Sequence, residues 1–521
     1  MGLQGLDLAT FITYCVFLVF IAYWVSREKA GHQKNSTDYF LASKSLPWWA
    51  IGASLIAANI SAEQIIGMSG SGFAIGLAIA SYEWMAAITL ILVGKYFIPI
   101  FLSKGIYTMP QFLEQRYDGR VRTIMAIFWL GVYIFVNLTS VLYLGALAIN
   151  TITGLEMVYG LAFLASFSII YSIYGGLKAV ALTDIIQVVL LVLGGLMVSY
   201  LALDKISGGQ GPIEGFAMLL SQVPEKFDMI LSPDNPHYIS LPGLSVLVGG
   251  MWIMNISYWG FNQYITQRAL AAKDLKEAQK GIAFAAYLKL FMPLIVVLPG
   301  IAAAMLVPDL DKPDRAYPEM MKLVPAGFMG ITFAALVAAI ASSLSSMTNS
   351  ISTIFTMDIY RKSFRPAASE THLVTVGRIV ATVAMAIAAV IATPLLGKLD
   401  QAFQYIQEFT GFFTPGIVAI FLLGFFWKRA TAHSALAAAL ASFLFSLGFY
   451  LFLPSLPFID RVGLVFLLCV AVAIVVTLLE RKGEADNAID LKGIEFQTSS
   501  GFNWASMGVV MILVAFYTAW W

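Results

Sequence analysis

"LIAANISAEQIIGMSGSG", residues 55–72, lies inside an otherwise apolar stretch that begins near Leu46. A helix that crosses a bilayer needs about 20 mostly apolar residues. This one carries Asn59, Ser61, Glu63 and Gln64 near its middle, followed by Gly67, Gly70 and Gly72. Polar groups in hydrocarbon are costly and mark functional sites by default. Irregular backbone at that depth is tolerated where it lines a cavity and its freed carbonyls find other partners. The stretch therefore predicts a span that is broken near its centre.

The rest of the chain fits that reading. Of its 521 residues, 59% are hydrophobic and only 12% charged, and its mean hydropathy is +0.82. Soluble proteins carry about 25% charged residues. The composition predicts an all-α polytopic membrane protein in contact with lipid along most of its length. The net charge of +1 argues against a nucleic acid or other polyanion as partner. Cys15 and Cys469 both fall in apolar spans, where they suit small buried hydrophobes better than a disulfide. The first apolar run starts at Leu8 with no basic region before it, which argues against a cleaved signal peptide.

Hydropathy gives about fourteen spans: 7–26, 46–71, 74–103, 123–151, 156–174, 179–203, 246–267, 281–307, 326–357, 379–397, 400–427, 430–453, 462–480 and 502–520. With the N-terminus outside, seven Lys and Arg fall in outside junctions and 22 in inside ones. That bias satisfies the positive-inside rule and places both termini outside. Only Lys95 and Lys289 lie within spans. A second interruption stands in the seventh span, "MWIMNISYWGFNQYITQR" (251–268). It lies five spans after the first, and an odd offset gives inverted topology. Paired interrupted spans in two halves point to a transporter site near mid-membrane. The expected division is an extra N-terminal helix (7–26), two five-helix repeats (46–203 and 246–427) and three C-terminal helices (430–520).

Two constellations carry chemistry. Small hard cations take oxygen ligands, and the break offers the carbonyls of Ala57 and Ile60. In "FAALVAAIASSLSSMTNSIST", Ala339, Ser342 and Ser343 share one helix face by their i, i+3, i+4 spacing. One carbonyl and two hydroxyls from that face would bring the oxygen ligands to about five. Close packing of small residues is the plainer reading of the same pattern. The second constellation is a set of isolated polar side chains inside spans: Asn59, Gln64, Glu83, Asn255, Asn262, Lys289, Gln407 and Glu408. Carboxylates and amides accept from hydroxyls, while Lys and amide nitrogens donate to them. No Arg sits at mid-membrane to pair with a carboxylate substrate. The set suits a neutral, hydroxyl-rich solute, with Tyr258 and Trp259 available to cover its apolar face. Any single member has interhelical hydrogen bonding as its plainer reading. Glu63 has no role in this scheme.

"DYFLASKSLPWWAIGASLIAANISAEQ", "ASYEWMAA", "VNLTSVLYLG", "SIYGGLKAVALTDIIQ", "YWGFNQYITQRALAAK", "AAIASSLSSMTNSISTIFTMDIY" and "QAFQYIQEFTG" together resemble the solute:sodium symporter family, most of all its bacterial galactose-carrying branch. The resemblance runs from about residue 7 to the C-terminus. It implies fourteen transmembrane helices, a leucine-transporter-like 5+5 inverted repeat with two broken helices, and sodium-coupled sugar uptake by alternating access. By motif, it implies that sodium binds the carbonyls of Ala57, Ile60 and Ala339 and the hydroxyls of Ser342 and Ser343. It implies sugar contacts from Gln64, Glu83, Asn255, Lys289 and Gln407. Tyr258, braced by Asn59, would close the inner gate; Met68, Tyr82 and Phe403 would form an outer lid. Asp184 matches a residue on a sodium exit route. With Ser345 and Ser346, which continue the face of Ser342, it is a candidate for a second sodium.

Two departures from the family pattern stand out. Ala86 replaces a sugar-contacting Ser, and Ser345 replaces an Ala. The first opens the identity of the sugar, galactose or glucose, and the second the number of sodium ions. Other small solutes, such as myo-inositol, an amino acid or a monocarboxylate, remain alternatives, as does a non-transporting sugar sensor. No nucleophile–base pair or metal motif points to an enzyme, and no cofactor is expected beyond sodium as coupling ion. No N-x-S/T acceptor falls in an outside loop, which is consistent with a bacterial inner membrane. The sequence leaves the oligomeric state open.

Overall fold

The computed structural model describes residues 4–26, 46–106, 108–174, 177–399 and 401–521. Side chains of residues 171–184, Asp184 among them, fall outside the described set, as does the motif at 38–45. The described residues form helices joined by turns and loops, with one isolated parallel bridge between Leu46 and Ala272. Among the described residues, nine helices are long and apolar enough to cross a membrane, and two bent helix pairs raise that number to eleven. Shorter apolar helices lie at Gly5–Phe17 and Met157–Ile170. Among the described residues, eleven of the fourteen expected spans meet that test; those at 7–26, 156–174 and 246–267 fall on the two shorter helices and on the pair at 250–270.

The second span consists of Trp48–Asn59 and Glu63–Ala74, bent by 65° at the gap between them. Its first half ends because Ile60 leaves helical geometry, at φ −69° and ψ 103°. The Ile60 N–H still bonds the Ile56 carbonyl at 2.7 Å. The last carbonyls of a helix have no further intrahelical donor, so those after Ile56 are left for other partners. The second half restarts at Ser61, whose hydroxyl accepts from the Glu63 N–H at 3.2 Å. Residues Glu63–Gly67 form a π-turn before the helix resumes at Met68. The glycines then allow close packing: a Cβ at Gly72 would lie 2.7 Å from the Val297 carbonyl oxygen. Val297 belongs to Leu275–Leu306, which packs against both halves of the broken span and against Ser81–Leu92.

The seventh span breaks at Asn262 (φ −87°, ψ 122°), between Gly250–Phe261 and Gln263–Leu270. Leu46 and Ala271 share a backbone hydrogen bond of 3.3 Å, so the entry to one broken span is tied to the exit from the other. A third interruption was not expected. The eleventh span divides into Ala402–Thr410 and Thr414–Phe426, bent by 43°. The ninth span, Phe328–Thr353, packs against the first, fifth and sixth, and its Ser342, Ser343 and Ser345 are buried. Both cysteines are free, with Cys469 fully buried and Cys15 partly so.

Candidate functional site

The three interruptions meet a π-helix at Val132–Leu138 around one cavity. π-Bulges recur at functional sites because they open the regular backbone ladder. Gln64, Glu83, Asn255, Lys289 and Gln407 all line this cavity, together with Asn59, Tyr82, Tyr258 and Phe403. Met68 is fully buried and is not part of the lining.

The chamber's charged groups are held by one another. Lys289 and Glu83 have side chains only 1% and 2% exposed and pair at 2.6 Å. Lys289 also donates to the Asn59 side-chain oxygen, and its ammonium lies 5.1 Å from the Trp259 ring centroid. The Asn59 amide then donates to the Tyr258 hydroxyl at 3.1 Å. A buried ammonium with one carboxylate, one amide and an aromatic face is compensated from several sides, as burial of charge demands. The chain of contacts joins the second, third, seventh and eighth spans.

Several polar groups retain bonding capacity. The Gln64 carbonyl oxygen is buried without a partner. Gln407 donates to Glu63 at 3.2 Å. Asn255 donates to the Met251 carbonyl at 3.1 Å, which leaves its own oxygen available. Tyr82 and Phe403 meet edge to face with ring centroids 5.1 Å apart, and the nearby Ser71 hydroxyl donates to Gln401 at 3.0 Å. That end of the cavity adjoins the 308–325 loop, where Asp314 accepts from the Ala402 N–H at 2.9 Å and Lys312 bonds Tyr143 at 3.2 Å.

The residues of the cation constellation are all buried: Ala57, Ile60, Ala339, Ser342 and Ser343 are 2–8% exposed. Their helices, Trp48–Asn59 and Phe328–Thr353, pack together. Among the described residues the Ser343 hydroxyl oxygen is buried with no hydrogen-bond partner. A serine in a helix normally bonds back to a carbonyl one turn earlier, so this oxygen is free to act as a ligand. Ser345 is fully buried and Ser346 half-buried on the same helix.

Other side chains differ from the sequence reading. Glu63, given no role there, lines the cavity and holds Gln407. Glu408, grouped there with the sugar-facing residues, instead pairs with Arg461 at 2.5 Å, on the side facing the thirteenth span. Tyr133, Asn137, Trp129 and Thr410 also line the cavity. Of these, Asn137 had a legible signal, as a lone amide in an apolar span.

Broken apolar helices around a central polar chamber define a secondary transporter, with its site near the middle of the membrane. Residues 39–442 match the profile of the Sodium:solute symporter family. The sodium/glucose cotransporter of Vibrio parahaemolyticus is 52% identical, over 100% of this chain and 99% of its own. The human sodium/myo-inositol cotransporter 2 is 33% identical, over 86% of this chain and 70% of its own. A substrate-bound, outward-open Na+-coupled sialic acid symporter has a similar fold, with a TM-score of 0.79 at 24% identity over 93% of this chain and 99% of that one. The chain belongs to the sodium:solute symporter family. Its fold is the all-helical leucine-transporter type, its coupling ion is sodium, and it is a transporter rather than an enzyme.

Proposed function

We propose that the protein couples sodium entry to uptake of a neutral monosaccharide of the glucose or galactose type by alternating access. The observation that carries this reading is the Glu83–Lys289–Asn59–Tyr258 chain in the cavity wall. Lys289 is already matched by Glu83, so it is not a free cation awaiting an anionic substrate. Amide groups of Gln64, Asn255 and Gln407 remain to bond hydroxyls from several directions. The named substrates of the relatives, glucose and myo-inositol, belong to that polyhydroxylated class.

On this reading Tyr258 and Asn59 form the inner gate, and Tyr82 and Phe403 the outer lid, with Met68 supporting it from behind. Sodium is held by the carbonyls of Ala57, Ile60 and Ala339 and by Ser342 and Ser343. The unpartnered Ser343 hydroxyl supports that placement. Because the same broken helix supplies carbonyls to sodium and Gln64 to sugar, filling one site favours the other, and the coupling is reciprocal. Asp184, Ser345 and Ser346 form a candidate second sodium site. The two repeats span 46–203 and 246–427, between the first helix and the last three, and both termini face outward from a bacterial inner membrane.

Sodium-driven accumulation in proteoliposomes tests the function. Labelled D-glucose should accumulate only with an inward sodium gradient. Excess galactose should compete strongly, myo-inositol less, and proline not at all. Accumulation without sodium, or competition by proline or lactate but by no sugar, would overturn the proposal.

A further inference from the structure

The cavity is longer than its sugar site. Along the eleventh span the lining runs the length from Phe403 to Ile417, across both halves of the bent pair. Gln407 lies near one end of that length. On the seventh span the lining continues one turn past Tyr258 to Asn262, at the break. On the fourth it runs from Trp129 through Tyr133 to Asn137, along the π-helix. The sugar contacts assigned above include neither Trp129 nor Thr414, so part of the lining has no occupant in that scheme.

That second part is built for hydrogen bonding. Asn137 is 8% exposed and makes no side-chain hydrogen bond among the described residues, although it faces the cavity. The Thr410 hydroxyl oxygen is buried without a partner. Asn262 has its oxygen engaged by Tyr133 at 2.9 Å, which holds the amide at the break. Trp129, 4% exposed, supplies an apolar face at the rim. A chamber meant only for water would have no need of an aromatic wall. A ligand that bonds the Asn137 amide and the Thr410 hydroxyl supplies partners that the described residues do not. None of the side chains of Asn137, Asn262, Thr410 and Trp129 carries a charge, so the ligand they suit is neutral and rich in hydroxyls.

We infer that Asn137, Asn262 and Thr410, beside Trp129, form a second binding station for a neutral polyhydroxylated solute, distinct from the Gln64–Lys289 site. It rests on the sugar-symport reading and on the orientation above, which places it on the cytoplasmic side of Tyr258. Sugar released by Tyr258 pauses there before it leaves. The station is weaker than the first, because it offers neutral amides and a hydroxyl where the first also has a carboxylate and an ammonium.

Equilibrium binding of labelled D-glucose to the purified full chain in nanodiscs, at saturating sodium, decides the matter. The wild type is expected to show two phases totalling two sugars per chain. Asn137→Leu should weaken the looser phase roughly 5-fold or more, as loss of a buried hydrogen bond implies, and leave the tighter phase within about twofold. Thr410→Val, nearly isosteric, should do the same if Asn137→Leu folds poorly. Gln64→Ala should give the opposite pattern. A single phase of one sugar per chain in the wild type would overturn the station, as would a loose phase untouched by both variants. Absence of any sodium-driven glucose uptake by the wild type would instead remove the sugar-symport reading itself.

Discussion

Gln64 and Gln407 face the same chamber from two different broken spans, in different bonding states. Gln64 has an unpartnered oxygen, whereas Gln407 is already held by Glu63. A buried hydrogen bond lost with its partner left unsatisfied costs about 1–3 kcal/mol, or roughly 5–150-fold in affinity. Gln64→Ala should therefore raise the half-saturating sugar concentration within that range. Gln407→Ala should do so too, with an added loss because Glu63 is left without its amide. Sugar titration of each purified variant by tryptophan fluorescence checks this; unchanged affinity in both would remove them from the site. Ser343→Ala deletes one oxygen but suits the helix, since Ala is the better helix former. Sodium activation of uptake should shift to higher concentration while the thermal midpoint holds. Wild-type sodium dependence in that variant would place the ion elsewhere.

At the scale of elements, the position of the ninth helix matters, because it carries Ala339, Ser342 and Ser343. Its N-terminal end is pinned by the first span. Asp7, 3% exposed, accepts from the Gly327 N–H at 2.7 Å and the Gly330 N–H at 3.1 Å, which are free donors at that helix start. A carboxylate there also matches the positive end of the helix dipole. Gly327 stands at φ +88°, a conformation that favours glycine. Asp7→Ala should lower stability by about 0.5–2 kcal/mol, the usual worth of such a cap, and Asp7→Asn by less. Thermal unfolding in detergent reads the difference, and an unaltered midpoint in Asp7→Ala would show the cap to be idle. The same scale shows what was legible in the sequence. The breaks at 60–62 and 262 were readable because Asn, Ser, Glu and Gln interrupt hydrocarbon there. The break at 411–413 went unread because "GFF" is apolar, although Gly411 and Pro415, in the first turn of the second half, punctuate it. Neighbours such as Glu63 and Gln64 diverge by about 100° in an α-helix. The π-turn at Glu63–Gly67 opens the coil, and both side chains line the chamber. Glu408 was misread because its partner, Arg461, lies 53 residues away on another span.

For the whole molecule the open quantity is how many sodium ions accompany each sugar. One sodium moving down a tenfold gradient releases about 1.4 kcal/mol, and a 100 mV potential adds about 2.3 kcal/mol. Together, about 3.7 kcal/mol supports roughly 500-fold sugar accumulation at most. Two ions would support roughly the square of that. Ser345 and Ser346 lie one turn beyond Ser342 on the same helix, and the Asp184 helix, Leu177–Ile206, packs against that one. Helix packing alone would also account for two small residues at this position. The membrane potential at which net flux reverses in proteoliposomes reports sodium per sugar directly. A stoichiometry of two in the wild type that falls to one in Ser345→Ala would assign the second ion to this face. A ratio of one in both would leave Ser345 a packing residue and Ser343 in the only coupling site.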